Sequence, residues 1–224
     1  MPKIVDHDAR REEIAQALWR VVRRDGIRAA SVRTIAAEAG WSAGAVRYYF
    51  PDQDGLLKFA MDLVVRRVGE RFAALTARGG TKGSATTVAL RYLEEVLPLD
   101  AERMAEFDVW LAFMVQAQAE TGADTLHNNV ETANDGLRDL CAELLNALSD
   151  AGALRDDLDL RLEIERLHAL LDGLALHAVI QPRRSTPTRV RRLLRLHIDS
   201  LVQQNPLQTK DFASAERQVR HKPD

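Results

Sequence analysis

The chain has 224 residues, with 31 Lys+Arg against 33 Asp+Glu, 46% hydrophobic and 29% charged residues, and one cysteine. That length suits one or two domains and that composition a folded chain, so wholesale disorder is excluded, as are an internal disulfide and a cysteine zinc ribbon. The charged start (Lys3, Asp6, Asp8, Arg10, Arg11) is unlike a signal peptide, and the longest apolar runs, 109–115 and 169–180, fall short of the ~20 residues of a membrane span, so a cytoplasmic protein with no membrane partner is expected.

Periodicity is helical nearly throughout, and no alternating run marks a strand. Ile14, Leu18, Val21 and Val22 form the stripe of a first helix that stops at Asp25-Gly26. Ser31 caps a second helix ending at Gly40, and Ser42 caps a third running to Phe50. After Pro51-Asp52 a long fourth helix is predicted from about Gln53 to Arg78. The glycine-rich stretch 79–83 lacks the spacing of a phosphate loop and reads as a linker or hinge. Helix five is expected from Ser84 to Leu97, before Pro98. Helix six, Asp100 to Glu120, is apolar on all sides over 109–115 and is expected in the middle of its domain. Helices seven (Thr125–Ala151), eight (Asp159–Ile180) and nine follow, the last opened by Thr186-Pro187 and running to Gln204. The polar tail 205–224 is expected to be mobile.

Cutting the chain at residue 50 separates its charge. Residues 1–50 carry nine basic and six acidic side chains (+3), leaving 22 against 27 (−5) in the remainder. Such asymmetry suits a nucleic-acid-binding head on a body with another task. In that head, residues 31–50 place two short capped helices around the turn Gly40-Trp41-Ser42. That is the helix-turn-helix plan, whose second helix lies in the major groove. Ser31 and Ser42 sit at helix N-termini, where phosphates are met. Ala43, Gly44 and Ala45 allow close approach, Arg47 can reach guanine in two-pronged fashion, Tyr48 and Tyr49 offer hydroxyls, and Arg28 and Arg33 supply charge. Spacing alone leaves open a purely structural pair of helices.

The stretch Thr34-Ile-Ala-Ala-Glu-Ala-Gly40-Trp-Ser-Ala-Gly44-Ala-Val-Arg47-Tyr-Tyr-Phe50-Pro-Asp-Gln53-Asp-Gly-Leu56-Leu57 resembles the N-terminal signature of TetR-type transcriptional repressors. The likeness covers about residues 10–60. More loosely, 92–100, Val109-Trp110 and 171–177 resemble the choline/betaine-repressor (BetI-like) branch. The resemblance implies an all-α protein of about nine helices: a three-helix DNA-binding domain (8–52) and a larger ligand-binding and dimerisation domain (53–204), ahead of the tail. It implies phosphate contacts from Ser42, Tyr49 and the start of helix four, and base reading from Ala43, Gly44, Arg47 and Tyr48, within a DNA face that also takes in Ser31, Arg33 and Thr34. Gln53 stands where the family usually has Lys, and Arg47 where Tyr is frequent.

Helices eight and nine carry leucine-rich faces: Ile164, Leu167, Leu170, Leu171, Leu174 and His177, then Val190, Leu193, Leu194, His197 and Leu201. The resemblance implies that they pair with a second copy as a four-helix bundle; burial against the same chain is the alternative. For a small-molecule effector, Phe107, Trp110, Leu111 and Met114 share one side of helix six, with Tyr92, Val96 and Leu137 as neighbours and Gln116, Asn129, Asn134 and Asp172 as orienting groups. Aromatic faces can hold a quaternary ammonium ion, though such stripes also serve as core. Glu165-x-x-His168 with Asp172, and Asp124-x-x-His127, raise the alternative of a metal-dependent oxidoreductase or small-molecule carrier. Surface ion pairs are the plainer account, and Cys141 reads as a small core residue. No catalytic motif or cofactor fingerprint is present, so the expected function is a ligand-responsive regulator, most simply a repressor, binding palindromic operator DNA as a homodimer.

Overall fold

Caps and apolar stripes lay out the helices much where the sequence places them. The protein is represented by a computed structural model that describes residues 7–119 and 124–203. Among the described residues the elements are α1 (His7–Asp25), a 3₁₀ turn (Ile27–Ala29), α2 (Val32–Ala39), α3 (Ala43–Tyr49), α4 (Gln53–Ala77), α5 (Ala85–Glu95), α6 (Ala101–Ala119), α7 (Asp124–Asp150), α8 (Leu160–Ile180) and α9 (Pro187–Leu201). The expected tail 205–224 lies outside the described residues, and the 3₁₀ turn was not foreseen.

The head is fixed by local hydrogen bonds. At α2 the Ser31 Oγ accepts from the Thr34 N–H (3.2 Å) while the Thr34 Oγ1 accepts from the Ser31 N–H (2.9 Å), a reciprocal cap. Gly40, at φ 72°, ends α2 in the left-handed region open to glycine. Ser42 then caps α3 by accepting from the Ala45 N–H, and Asp52 caps α4 by accepting from the Gly55 N–H. Val46 and Phe50 are fully buried beneath α3, which leaves the opposite side of that helix free.

Two apolar clusters make the core, and the division between them runs along α6 rather than at residue 53. Ile14, Leu18, Val21, Ile35, Val46 and Phe50 of the head share a cluster with Leu56, Met61 and Leu63 of α4 and with Val109, Phe113 and Ala117 of α6. The second cluster joins α5, α7, α8 and α9 through Leu93, Cys141, Leu145, Leu171, Val190 and Leu194, with Met104 and Phe107 of α6 against it. So α6 lies between the clusters, but it is not apolar-buried all round, since Val115 is 63% exposed.

Three further expectations change. The turn at 79–83 is clamped instead of free: Arg91 Nη1 donates to the carbonyls of Gly80 (2.9 Å) and Lys82 (2.7 Å), and a Cβ at Gly80 would lie 2.5 Å from Leu75. α9 ends at Leu201, after which Val202 forms an isolated antiparallel bridge with Leu154. Most of the expected dimer face is internal: Leu167, Leu171, Leu174, Val190, Leu194 and Leu201 are buried within the second cluster, and Ile164 and Leu170 pack against it. Of the leucines expected there, Leu193 is exposed, beside Leu162, Leu176, Ile180 and Leu196.

Because Phe113 of α6 sits in the same cluster as the head, Phe113→Ala is expected to cost roughly 3–5 kcal/mol and to lower the stability of head and body together. Urea unfolding followed in parallel by tryptophan fluorescence and by far-ultraviolet circular dichroism checks this; two separated transitions would contradict it.

Candidate functional site

The head's positive charge is concentrated by pairing. Arg20 and Arg24 are both bound to Glu38 (2.8 and 2.7 Å), Arg23 to Asp108 (3.5 Å) and Arg10 to Glu13 (2.8 Å). These two guanidiniums hold the Glu38 carboxyl below the usual carboxylate range. Among the described residues Arg28, Arg33 and Arg47 have no ion-pair partner, and all three are exposed. They lie on the 3₁₀ turn, the first turn of α2 and α3, around the helix N-termini capped by Ser31 and Ser42. Beside Arg47, Tyr48 is 71% exposed and Gly44 is open, while Ala43 is half-buried. An exposed row of small and basic side chains on a helix with free N–H groups is what a duplex can receive.

Three residues expected in that face have other duties. The Thr34 hydroxyl donates to the Ala29 carbonyl (2.6 Å) and belongs to the cap. Gln53 Nε2 donates to the Ala30 carbonyl (2.9 Å), tying the start of α4 to the chain ahead of α2. Tyr49 is half-buried in a ring cluster with His7 (4.8 Å), Trp41 (5.5 Å) and Tyr48 (5.2 Å). His7 gave no sequence signal, since only the fold brings the start of α1 to the end of α3.

The body holds a cavity of about 690 Å³ between α4, the α5–α6 turn, α6, α7 and α8. Of the expected ligand residues, Val96, Phe107, Trp110 and Leu137 line it, as do Asn129, Asn134 and Asp172. Tyr92 does not: its hydroxyl is 2.6 Å from the Thr76 Oγ1 and its ring meets Phe72 edge-on (5.3 Å). Leu111 and Met114 also lie off the wall, Met114 packing against the head's cluster. The side chain of Gln116 is outside the described residues. The wall that sequence reading missed is α4, with Met61, Val64, Val65, Val68 and Phe72, together with the charged groups Arg66, Arg71, Glu95, Arg103 and Glu106.

Those charged groups form one chain. Glu106, only 3% exposed, is held by Arg67 (3.3 Å) and Arg71 (3.0 Å), both from α4. Arg71 continues to Glu95 of α5 (3.6 Å), which also binds Arg103 of α6 (3.1 Å). In the other direction Arg67 stands over the Trp19 ring (4.6 Å) and 3.6 Å from Glu12, both on α1. The cavity wall and the interior of the head are thus consecutive links. At the far end Asp100 caps Arg103; burial would raise its carboxyl, but the hydrogen bonds and charge of Arg103 outweigh that and hold it low.

The residues that suggested metal chemistry are dispersed. Glu165 is bound to Arg138 (2.8 Å), His168 stands 3.6 Å from Asp172, and His127 pairs with Glu131 (3.1 Å) instead of the expected Asp124, whose side chain is outside the described residues. Among the described residues no group of three His, Cys, Asp or Glu could hold a metal ion. Cys141 is buried, and burial followed by the Asp172 charge pushes its thiol up to about 12, which leaves it a packing group. His197, half-buried between α8 and α9, is lowered by burial and by Arg166; His177 is exposed.

Comparison with known proteins agrees with this arrangement. Residues 14–60 match the family "Bacterial regulatory proteins, tetR family", and residues 85–203 match "BetI-type transcriptional repressor, C-terminal". The HTH-type transcriptional regulator PksA of Bacillus subtilis (strain 168) is 37% identical over 210 residues, covering 94% of this chain and 98% of that protein. The HTH-type transcriptional regulator BetI of Serratia proteamaculans (strain 568) is 30% identical over 192 residues, 81% and 86% of the two chains. Among solved structures, a putative transcriptional regulator from Saccharomonospora viridis in complex with choline superposes with a TM-score of 0.72 at 25% identity, covering 88% of this chain and all of that one.

Removing the buried carboxylate strands two guanidiniums, so Glu106→Ala is expected to destabilise the fold by roughly 3–5 kcal/mol, whereas an exposed partner in the same chain, Glu102→Ala, stays within about 1 kcal/mol. Denaturant midpoints of the two variants check this; equal effects would remove Glu106 from its central place.

Proposed function

The chain belongs to the tetR family of bacterial regulatory proteins, a family of transcriptional regulators and not of enzymes, and from that premise we propose that it is an effector-controlled repressor that grips a roughly palindromic operator in the cytoplasm as a homodimer. Regulators of this family bind DNA and small-molecule effectors, typically as dimers. No helix among the described residues is long and apolar enough to cross a membrane.

The observation that carries the proposal is the chain Glu106–Arg67–Glu12, which joins the wall of a cavity to α1 of the head. An effector that enters the cavity displaces α4 against α6. The N-terminal end of α4 is fixed to the head by the Gln53–Ala30 hydrogen bond and by Arg11, which lies over the rings of Phe50 (5.1 Å) and Phe59 (4.5 Å). The head therefore follows α4. Two heads must reach major grooves about 34–36 Å apart, so a small rotation at each removes the fit.

Leu162, Ala169, Gly173, Leu176 and Ile180 of α8 recur at helical spacing on an outward stripe, with Leu193 and Leu196 of α9 beside it. We assign the dimer bundle to this stripe in place of the buried leucines. For the DNA face, Arg47, Tyr48, Ala43 and Gly44 read bases, while Ser31, Ser42, Arg28 and Arg33 meet phosphates.

On an operator selected from random duplexes, Arg47→Ala is expected to cost roughly 1–3 kcal/mol and to relax one base position, while Arg33→Ala weakens all sequences alike and lowers the salt slope by about one. A uniform loss for Arg47→Ala would make it a phosphate contact. Leu193→Glu combined with Leu196→Glu should give a monomer on gel filtration with its operator affinity largely lost; a dimer that persists would place the interface elsewhere. The effector and the operator must oppose each other by the same factor, about 5–150-fold.

A further inference from the structure

Tyr48 projects from α3 with 71% of its surface exposed, yet its ring does not stand alone. It meets the Tyr49 ring edge-on (5.2 Å, 87°) and the imidazole of His7 at 5.6 Å. His7 lies 4.8 Å from Tyr49 as well, and Tyr49 meets Trp41 edge-on at 5.5 Å. Arg10, one turn after His7, places its guanidinium 5.2 Å from the centre of the Trp41 ring. The first turn of α1 thus supplies one side of a ring cluster whose other side is the last turn of α3. The core fixes this placement. His7, Ile14 and Val21 are seven residues apart, which returns to the same face of a helix within about 20° per step, and Ile14 and Val21 are fully buried. The buried stripe of α1 therefore runs on past the core and delivers the His7 ring to Tyr48. α3 has seven residues, of which only Val46 is buried, so the core holds the helix and leaves the Tyr48 ring to its neighbours.

We infer that His7 is a positioning residue for base reading: its ring holds Tyr48 against Tyr49 in the orientation that enters the groove. This rests on Tyr48 being one of the base-reading side chains of the DNA face. A surface tyrosine free to change rotamer is ordered only when DNA binds, and that ordering weakens binding; a ring already packed against two others has lost this freedom beforehand. The contact is ring on ring, so a phenyl ring at position 7 serves where a methyl group does not.

Four full-length variants test this on the selected operator by fluorescence anisotropy: His7→Ala, His7→Phe, Tyr48→Ala and the double variant His7→Ala/Tyr48→Ala. His7→Ala is expected to weaken binding about 2–10-fold, the span of one aromatic contact, and to relax the same base position as Tyr48→Ala. His7→Phe should bind within about twofold of the unaltered chain, and the double variant within about twofold of Tyr48→Ala, because the two residues act as one unit. Three results overturn the inference: His7→Ala that binds like the unaltered chain, His7→Phe as weak as His7→Ala, or a His7→Ala loss that persists in full without Tyr48. The last two would make His7 a DNA contact in its own right. Both single variants should melt with the unaltered chain by circular dichroism, since His7 and Tyr48 are exposed; a His7→Ala chain partly unfolded at the assay temperature would assign its loss to the fold and likewise overturn the inference. If Tyr48→Ala itself binds the operator like the unaltered chain, the base-reading assignment of Tyr48 fails, and the role of His7 falls with it.

Discussion

A carboxylate taken almost wholly out of water, Glu106 of α6, is neutralised by two guanidiniums that both come from α4. A single buried charge of this kind is tolerated only with its partners in place, which makes the relative position of α4 and α6 discrete instead of elastic. The same two arginines reach in opposite directions, Arg67 to Trp19 and Glu12 of α1, Arg71 to Glu95 of α5. The cavity wall and the head are thus joined by shared side chains and not only by neighbouring surfaces.

The apolar core has the same design. Val109, Phe113 and Ala117 of α6 complete the cluster that holds Ile14, Leu18 and Phe50, so α6 closes the head's interior while its Phe107 lines the cavity. A body that moved independently of its head could not signal to it. Among the described residues the packing is continuous across residue 53.

Charge economy completes the picture of the head. The net charge of residues 1–50 is +3, but Glu38 and Glu13 neutralise arginines of α1, and among the described residues Arg28, Arg33 and Arg47 have no ion-pair partner around α2 and α3. These three lie near the N-termini of α2 and α3, where free N–H groups also point outward.

The sequence by itself determined the elements: among the described residues nine α-helices fall within a few residues of their caps and stops, because capping by Ser31, Ser42, Asp159 and Thr186 and the left-handed turn at Gly40 are local events. It also determined the exposed chemistry of α3, where burial of Val46 and Phe50 leaves only one outward set of side chains. What only the tertiary structure decided is which faces meet. A leucine stripe fixes that a face is apolar and not what covers it, so Leu167, Leu171, Val190 and Leu194 turned inward and the neighbouring stripe of Leu162, Leu176, Leu193 and Leu196 remained outside. Charges on α4 at helical spacing look like a solvated face in one dimension. Their conversion into a cavity wall around Glu106 required α6 and α1, some 35–55 residues away in the chain, to arrive on either side.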